Sequence, residues 1–107
     1  MLRIVGGGDD PATHIENRAG EPCANPYLYM ASQIVAGLDG IASSIDPGEP
    51  DSAPYESQNQ LLPRSLMEAR DALSNDVFFR NKFGERFIDY ILALKRSVID
   101  RFLSHVT

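Results

Sequence analysis

Apolar positions change their spacing several times along this chain, and each change marks an element. Leu2–Val5 is a short apolar run with β-branched residues at its end, which reads as a strand. "GGGDDPA", Gly6–Ala12, is a turn: its glycines reach positive φ and Asp-Pro initiates a reversal. Thr13–Arg18 reads as a second strand, so residues 1–18 form a strand pair joined by a loop longer than a tight hairpin prefers. "GEPCANP" ends that strand. Asn25 suits an N-cap and Pro26 the first helical position, where its missing N–H costs nothing. The spacing predicts a helix over 26–44. Its apolar residues Leu28, Met30, Ala31, Ile34, Val35, Leu38 and Ile41 cover most of the circumference, which predicts burial on more than one side. Gly37 and Gly40 each cost roughly 1 kcal/mol in a helix, and a close approach of another backbone is the expected compensation.

Residues 46–63 form an irregular loop carrying Pro47, Pro50, Pro54 and Pro63. Short helices follow over 65–82. "SLME", Ser65–Glu68, matches a capping box that opens a helix to about Leu73, and a further turn covers Asp76–Lys82. The final element, 85–106, is a long helix with a stripe at Phe87, Ile91, Leu94, Val98 and Phe102, widened by Ile88, Ile99 and Leu103. No internal repeat is visible. The expected class is α+β: mainly helical, with a short N-terminal β-hairpin. Two short strands are too few for a stable sheet, and the chain opens in a strand and stops in an uncapped helix. The expectation is a fragment of a larger domain.

Composition narrows the function. The 107 residues suffice for one small domain, and 43% apolar content argues against disorder. The net charge is −5, with the acid concentrated before Ser65, which argues against nucleic acid as a partner. The lone cysteine, Cys23, allows no internal disulfide and gives no sign of a zinc site, as expected of a cytoplasmic protein. No leader pattern opens the chain, and no stretch nears the roughly 20 apolar residues of a membrane helix, so no membrane partner is expected.

The candidate chemistry lies in "HIENR", His14–Arg18. Alternate residues of a strand share a face, which sets Glu16 and Arg18 side by side about 7 Å apart. One reading is a surface ion pair, worth little. The other is a site holding a cation on Glu16 and a substrate carboxylate on Arg18. "GGGDD" reads as a turn rather than a phosphate cradle, since no Lys-Ser/Thr follows and no helix begins there.

Thr13–Ile41, "THIENRAGEPCANPYLYMASQIVAGLDGI", closely resembles the C-terminal part of the glutamine synthetase family. The family carries an Arg/His-Ile-Glu-x-Arg strand, a Pro-Ala-Ala-Asn-Pro-Tyr-Leu segment, a helix ending Ala-Gly-Leu-Asp-Gly-Ile and a Pro-Gly-Glu-Pro loop. Here these stand as His14–Arg18, Pro22–Leu28, Ala36–Ile41 and Pro47–Pro50. Ser65–Ala69 is similar to the family's Ser-Leu-Glu-Glu-Ala helix start, and Ile91–Arg96 to its Tyr-Ile-x-Leu-Lys-Arg helix.

The resemblance implies a fold cut from the glutamine synthetase catalytic barrel, an open barrel of strands completed across a subunit boundary in a homo-oligomer. It implies an ATP-dependent ligase joining ammonia or another amine to the γ-carboxylate of glutamate through a γ-glutamyl phosphate, with Mg²⁺ or Mn²⁺ at the phosphates. Carried over by position, Glu16 is the metal ligand and Arg18 the glutamate-binding residue. Arg3, eleven residues before His14, falls at the family's phosphate arginine, and His14 at its nucleotide contact. At His14 the best-known bacterial branch has arginine; histidine brings less charge at pH 7 and no bidentate fork. No catalytic residue is implied within these residues. The family's other metal-ligating glutamates and its Asn-Pro-Lys flap lie outside them, so the isolated chain is expected to be inactive. Tyr55 sits where some bacterial members are adenylylated, but the surrounding family pattern is absent and regulation there is not expected. The alternative from another class is a non-catalytic helical interaction module derived from the same family.

Overall fold

A computed structural model of the chain describes residues 2–56 and 58–105. The element order is β1 (Leu2–Val5), β2 (His14–Asn17), α1 (Pro26–Ala42), α2 (Leu66–Asn75), α3 (Val77–Phe83) and α4 (Glu85–His105). The α+β expectation holds: four helices and one hairpin. The chain divides into two compact units, Met1–Ile45 and Asp46–Thr107.

In the first unit β1 and β2 pair antiparallel, with Leu2 opposite Asn17, Arg3 opposite Glu16, Ile4 opposite Ile15 and Val5 opposite His14. β2 is shorter than the expected Thr13–Arg18 at both ends, for local reasons. Thr13 belongs to the turn: its Oγ1 accepts from the Gly7 N–H at 3.0 Å and donates to the Asp10 carbonyl at 2.8 Å. At the other end Asn17 Oδ1 accepts from the Ala19 N–H at 2.9 Å, which turns the backbone away and leaves Arg18 just past the ladder.

Gly6 fixes the start of that turn. Its φ is +93°, and a Cβ there would meet Thr13 Oγ1 at 2.7 Å and Thr13 Cα at 2.9 Å. Gly6→Ala therefore combines a left-handed penalty with a backbone clash. We expect it to destabilise the hairpin by about 2 kcal/mol or more, read as lowered stability of the full-length protein to urea and weakened substrate binding together.

α1 starts as expected. Asn25 Oδ1 accepts from the N–H groups of Tyr27 and Leu28, and Pro26 occupies the first turn. It ends at Ala42 rather than Ser44, because Ser44 adopts a left-handed φ of 50°. The N–H of Ser44 then reaches the Ile41 carbonyl and that of Ile45 the Gly40 carbonyl, the paired bonds of a Schellman close. The expected burial of α1 on several sides is not met within this chain: Tyr27, Ile34, Leu38 and Ile41 are all at least 60% exposed. A Cβ on Gly37 or Gly40 would meet nothing within 4 Å, so among the described residues of its own unit no backbone makes the expected close approach.

In the second unit the capping box is present in modified form. Ser65 Oγ accepts from the Glu68 N–H, while Glu68 Oε2 accepts from the N–H of Arg64, one residue before the cap. Asp76 ends α2 and caps α3 through the Phe79 N–H at 2.7 Å. α2 thus runs two residues past Leu73, and α3 is shifted one residue from Asp76–Lys82. α4 packs on α2 and α3, and the core is Ile88, Leu92 and Ile99. The expected stripe is met in part: Ile88 and Ile99 are buried and Phe87 and Ile91 half-buried, Leu92 joins them, and Leu94, Val98 and Phe102 stay exposed, because α2 and α3 meet α4 along the 88/92/99 line. Arg80 on α3 bridges to Glu85 and Asp89 of α4 and donates to the Ser74 carbonyl. The expected end of this helix at Val106 lies outside the described residues. No helix among the described residues is long and apolar enough to cross a membrane.

Candidate functional site

The hairpin's parity places the four sequence-derived residues. His14 and Glu16 alternate along one side of β2, Arg3 is the cross-strand partner of Glu16, and Arg18, just past the ladder, reaches the Glu16 carboxylate with its side chain. The opposite parity carries Leu2, Ile4, Ile15 and Asn17, so each hairpin face has its own character: one apolar and ending in an amide, the other charged.

On the charged face the Glu16 carboxylate divides its two oxygens. Oε1 lies 3.7 Å from His14 Nε2, and Oε2 lies 3.9 Å from Arg18 Nε. The Glu16 side chain is 38% exposed, and those of His14 and Arg18 about half exposed. At such distances and exposure the ion pairs add little to stability. What they establish is adjacency: an anion flanked by a cation on one side and an imidazole on the other, open to solvent.

His14 is held from behind. Its Nδ1 lies 2.7 Å from the Ala12 carbonyl oxygen. A carbonyl can only accept, so Nδ1 carries a proton, and Nε2 is the nitrogen turned toward Glu16.

Asn17 is a positioning residue that the sequence reading missed. Its Nδ2 donates to Gln33 Oε1 on α1 while its Oδ1 shapes the turn at Ala19. It ties the strand to the helix and sets where Arg18 leaves the ladder. Its parity, opposite to that of Glu16 and Arg18, was the available signal. Gly20 helps from the same turn: Tyr29 packs so closely that a Cβ there would sit 3.2 Å from the phenol ring.

Among the described residues no three His, Cys, Asp or Glu side chains gather as a metal cluster. One carboxylate and one imidazole suit a divalent cation chemically but supply only part of a coordination sphere. Cys23, outside the hairpin, is exposed and not part of a disulfide.

The model of the glutamine synthetase catalytic domain matches residues 1–107. A gamma-glutamylanilide synthase of Acinetobacter sp. is 57% identical over 104 residues, covering 96% of this chain and 21% of that protein. A glutamine synthetase of Pasteurella multocida is 39% identical, covering 94% of this chain and 23% of its own length. Human lengsin is 39% identical over 90 residues, covering 81% of this chain and 18% of lengsin. The chain spans about a fifth of the length of the relatives it matches. It belongs to the glutamine synthetase family, corresponding to the C-terminal part of the catalytic domain.

Proposed function

We propose that this segment forms one wall of the active site of an ATP-dependent ligase that joins an amine to the γ-carboxylate of glutamate. The observation that carries the reading is the single charged face of the hairpin, with Arg3 opposite Glu16 and with His14 and Arg18 flanking it.

Each residue has a role fitted to its chemistry. Arg18 takes a carboxylate of glutamate through two parallel hydrogen bonds, a geometry that guanidinium supplies and ammonium does not. Arg3, across the ladder, faces the phosphates of ATP. His14 stands at the nucleotide side of Glu16. Glu16 would hold a divalent cation, Mg²⁺ or Mn²⁺, which when bound neutralises phosphate charge during transfer. Arg18 and Arg3 thereby fix the γ-carboxylate and the terminal phosphate next to each other, which removes much of the entropic cost of bringing them together. A γ-carboxylate oxygen takes the terminal phosphoryl group of ATP with release of ADP, and attack of the amine on the resulting acyl phosphate forms the C–N bond and releases inorganic phosphate and a proton.

The amine is proposed from relationship. Identity to the anilide-forming synthase exceeds that to the Pasteurella glutamine synthetase, 57% against 39%, which favours an aromatic amine over ammonia. The hairpin's apolar face (Leu2, Ile4, Ile15) and the open sides of α1 fit a barrel wall covered by the remainder of the catalytic domain and by a neighbouring subunit. The reading includes a cytoplasmic homo-oligomer, and the lone cysteine fits a reducing compartment.

The test is ATP-dependent formation of γ-glutamyl amides by the full-length protein, with ammonia, aniline and a polyamine offered in parallel. We expect turnover, fastest with aniline, and none from the isolated 107-residue chain. Turnover by the isolated chain would contradict the shared-site reading. Failure of the full-length protein with every amine would favour the non-catalytic module instead.

A further inference from the structure

We infer that His14 is itself a ligand, through Nε2, to the cation held by Glu16, and that the site consequently prefers a first-row transition ion to Mg²⁺. The inference rests on the reading of Glu16 as a cation ligand and adds to it a residue, a donor atom and a preference.

The geometry supplies the argument. Two metal–ligand bonds of about 2.1 Å each can span up to about 4.2 Å. The 3.7 Å between His14 Nε2 and Glu16 Oε1 lies inside that reach, so one ion can touch both atoms. The remaining carboxylate oxygen is unsuited to this purpose: Oε2 is 3.9 Å from the Arg18 guanidinium, whose positive charge repels a second cation. The two oxygens are thus divided between a cation side and a substrate side.

The state of His14 fits. The Ala12 carbonyl, 2.7 Å from Nδ1, accepts a hydrogen bond from the proton on that nitrogen, so Nε2 is the nitrogen left to face a cation. Histidines that bind metals through one nitrogen usually donate from the other to a carbonyl or carboxylate, which fixes the ring and raises its basicity. Ala12 is itself anchored, its N–H donating to Asp10 Oδ1 at 2.9 Å, so the supporting carbonyl is part of an ordered turn. An arginine at position 14 could offer no such donor, since guanidinium does not coordinate metals. The exchange of arginine for histidine, a weakness for direct phosphate binding, becomes a gain at the cation. His14 then meets the nucleotide through the ion rather than by charge. Imidazole nitrogen suits first-row transition ions better than Mg²⁺, which demands oxygen donors.

The test uses the full-length protein with Mn²⁺ or Mg²⁺ alone as probe, and two substitutions. His14→Asn keeps an amide donor for the Ala12 carbonyl and lacks the ring nitrogen; His14→Gln is the second variant. Mn²⁺ binding is followed by electron paramagnetic resonance, with spin-echo modulation from directly bonded ¹⁴N, and Mg²⁺ affinity by competition. We expect both variants to lose ¹⁴N modulation and to bind Mn²⁺ about tenfold or more weakly at one site, with Mg²⁺ affinity changed by less than about threefold. Unchanged Mn²⁺ affinity and modulation in both variants, with the site lost in Glu16→Gln, would overturn the His14 assignment and leave the Glu16 reading standing. Equal weakening of both ions would also overturn it, as a structural effect. If Glu16→Gln too leaves Mn²⁺ binding intact, the underlying site reading fails as well.

Discussion

On the proposed reading, Glu16→Gln in the full-length protein should lower kcat/KM by about 1,000-fold, corresponding to roughly 4 kcal/mol of lost transition-state stabilisation. Glutamine preserves the size and planarity of the side chain and removes its charge. The hairpin should hardly notice. The ion pairs Glu16 makes with His14 and Arg18 are 3.7 and 3.9 Å long and solvent-exposed, so their loss changes stability by less than about 1 kcal/mol. Steady-state kinetics set beside a denaturation curve separates the two effects. A large drop in activity without a shift in unfolding midpoint supports the assignment. Activity within a fewfold of wild type would mean that Glu16 belongs to an ordinary surface pair.

Arg18→Ala has the second large effect, and on a different parameter. Removing one partner of a desolvated, hydrogen-bonded charge pair costs about 2–5 kcal/mol. We therefore expect the KM for glutamate to rise about 30-fold or more, with Mn²⁺ affinity unchanged. Arg18→Lys keeps the charge and loses the planar fork, so its KM should fall between the two. An equal rise in the KM values for ATP and glutamate would argue that Arg18 shapes the hairpin end rather than gripping substrate. That outcome is physically reasonable to test, because Arg18 leaves the ladder at the turn that Asn17 builds.

Much of this architecture could be read from residue patterns, and the reasons for the exceptions are specific. The bounds of β1 and the start of α1 follow from local chemistry: a short apolar run, an Asn N-cap and a Pro in the first turn. The cross-strand register was not legible. The residues joining β1 to β2 permit several pairings, and the turn's own bonds, centred on Asp10 and Thr13, choose the one that sets Arg3 opposite Glu16. The end of α1 was misjudged because a serine, not a glycine, takes the left-handed position. On α4 the apolar residues encircle enough of the helix that periodicity alone cannot say which stripe is buried. Contact with α2 and α3 selects Ile88, Leu92 and Ile99. The candidate residues stand in one motif, and alternation along an extended segment already places Glu16 beside Arg18; the finer contacts do not follow from it. That Glu16 turns one oxygen to His14 and the other to Arg18, and that Ala12 holds His14 from behind, depends on side-chain geometry that spacing does not encode.

On the proposed reading, one hairpin face serves a cation and a substrate carboxylate at once. An experimental structure of the full-length protein with Mn²⁺ and glutamate bound tests it most directly. The account predicts a Glu16 carboxylate oxygen about 2.2 Å from a metal ion, and the Arg18 guanidinium paired with a carboxylate of glutamate in the same cleft. A structure with these two side chains on different surfaces, or with neither touching metal or substrate, would contradict it.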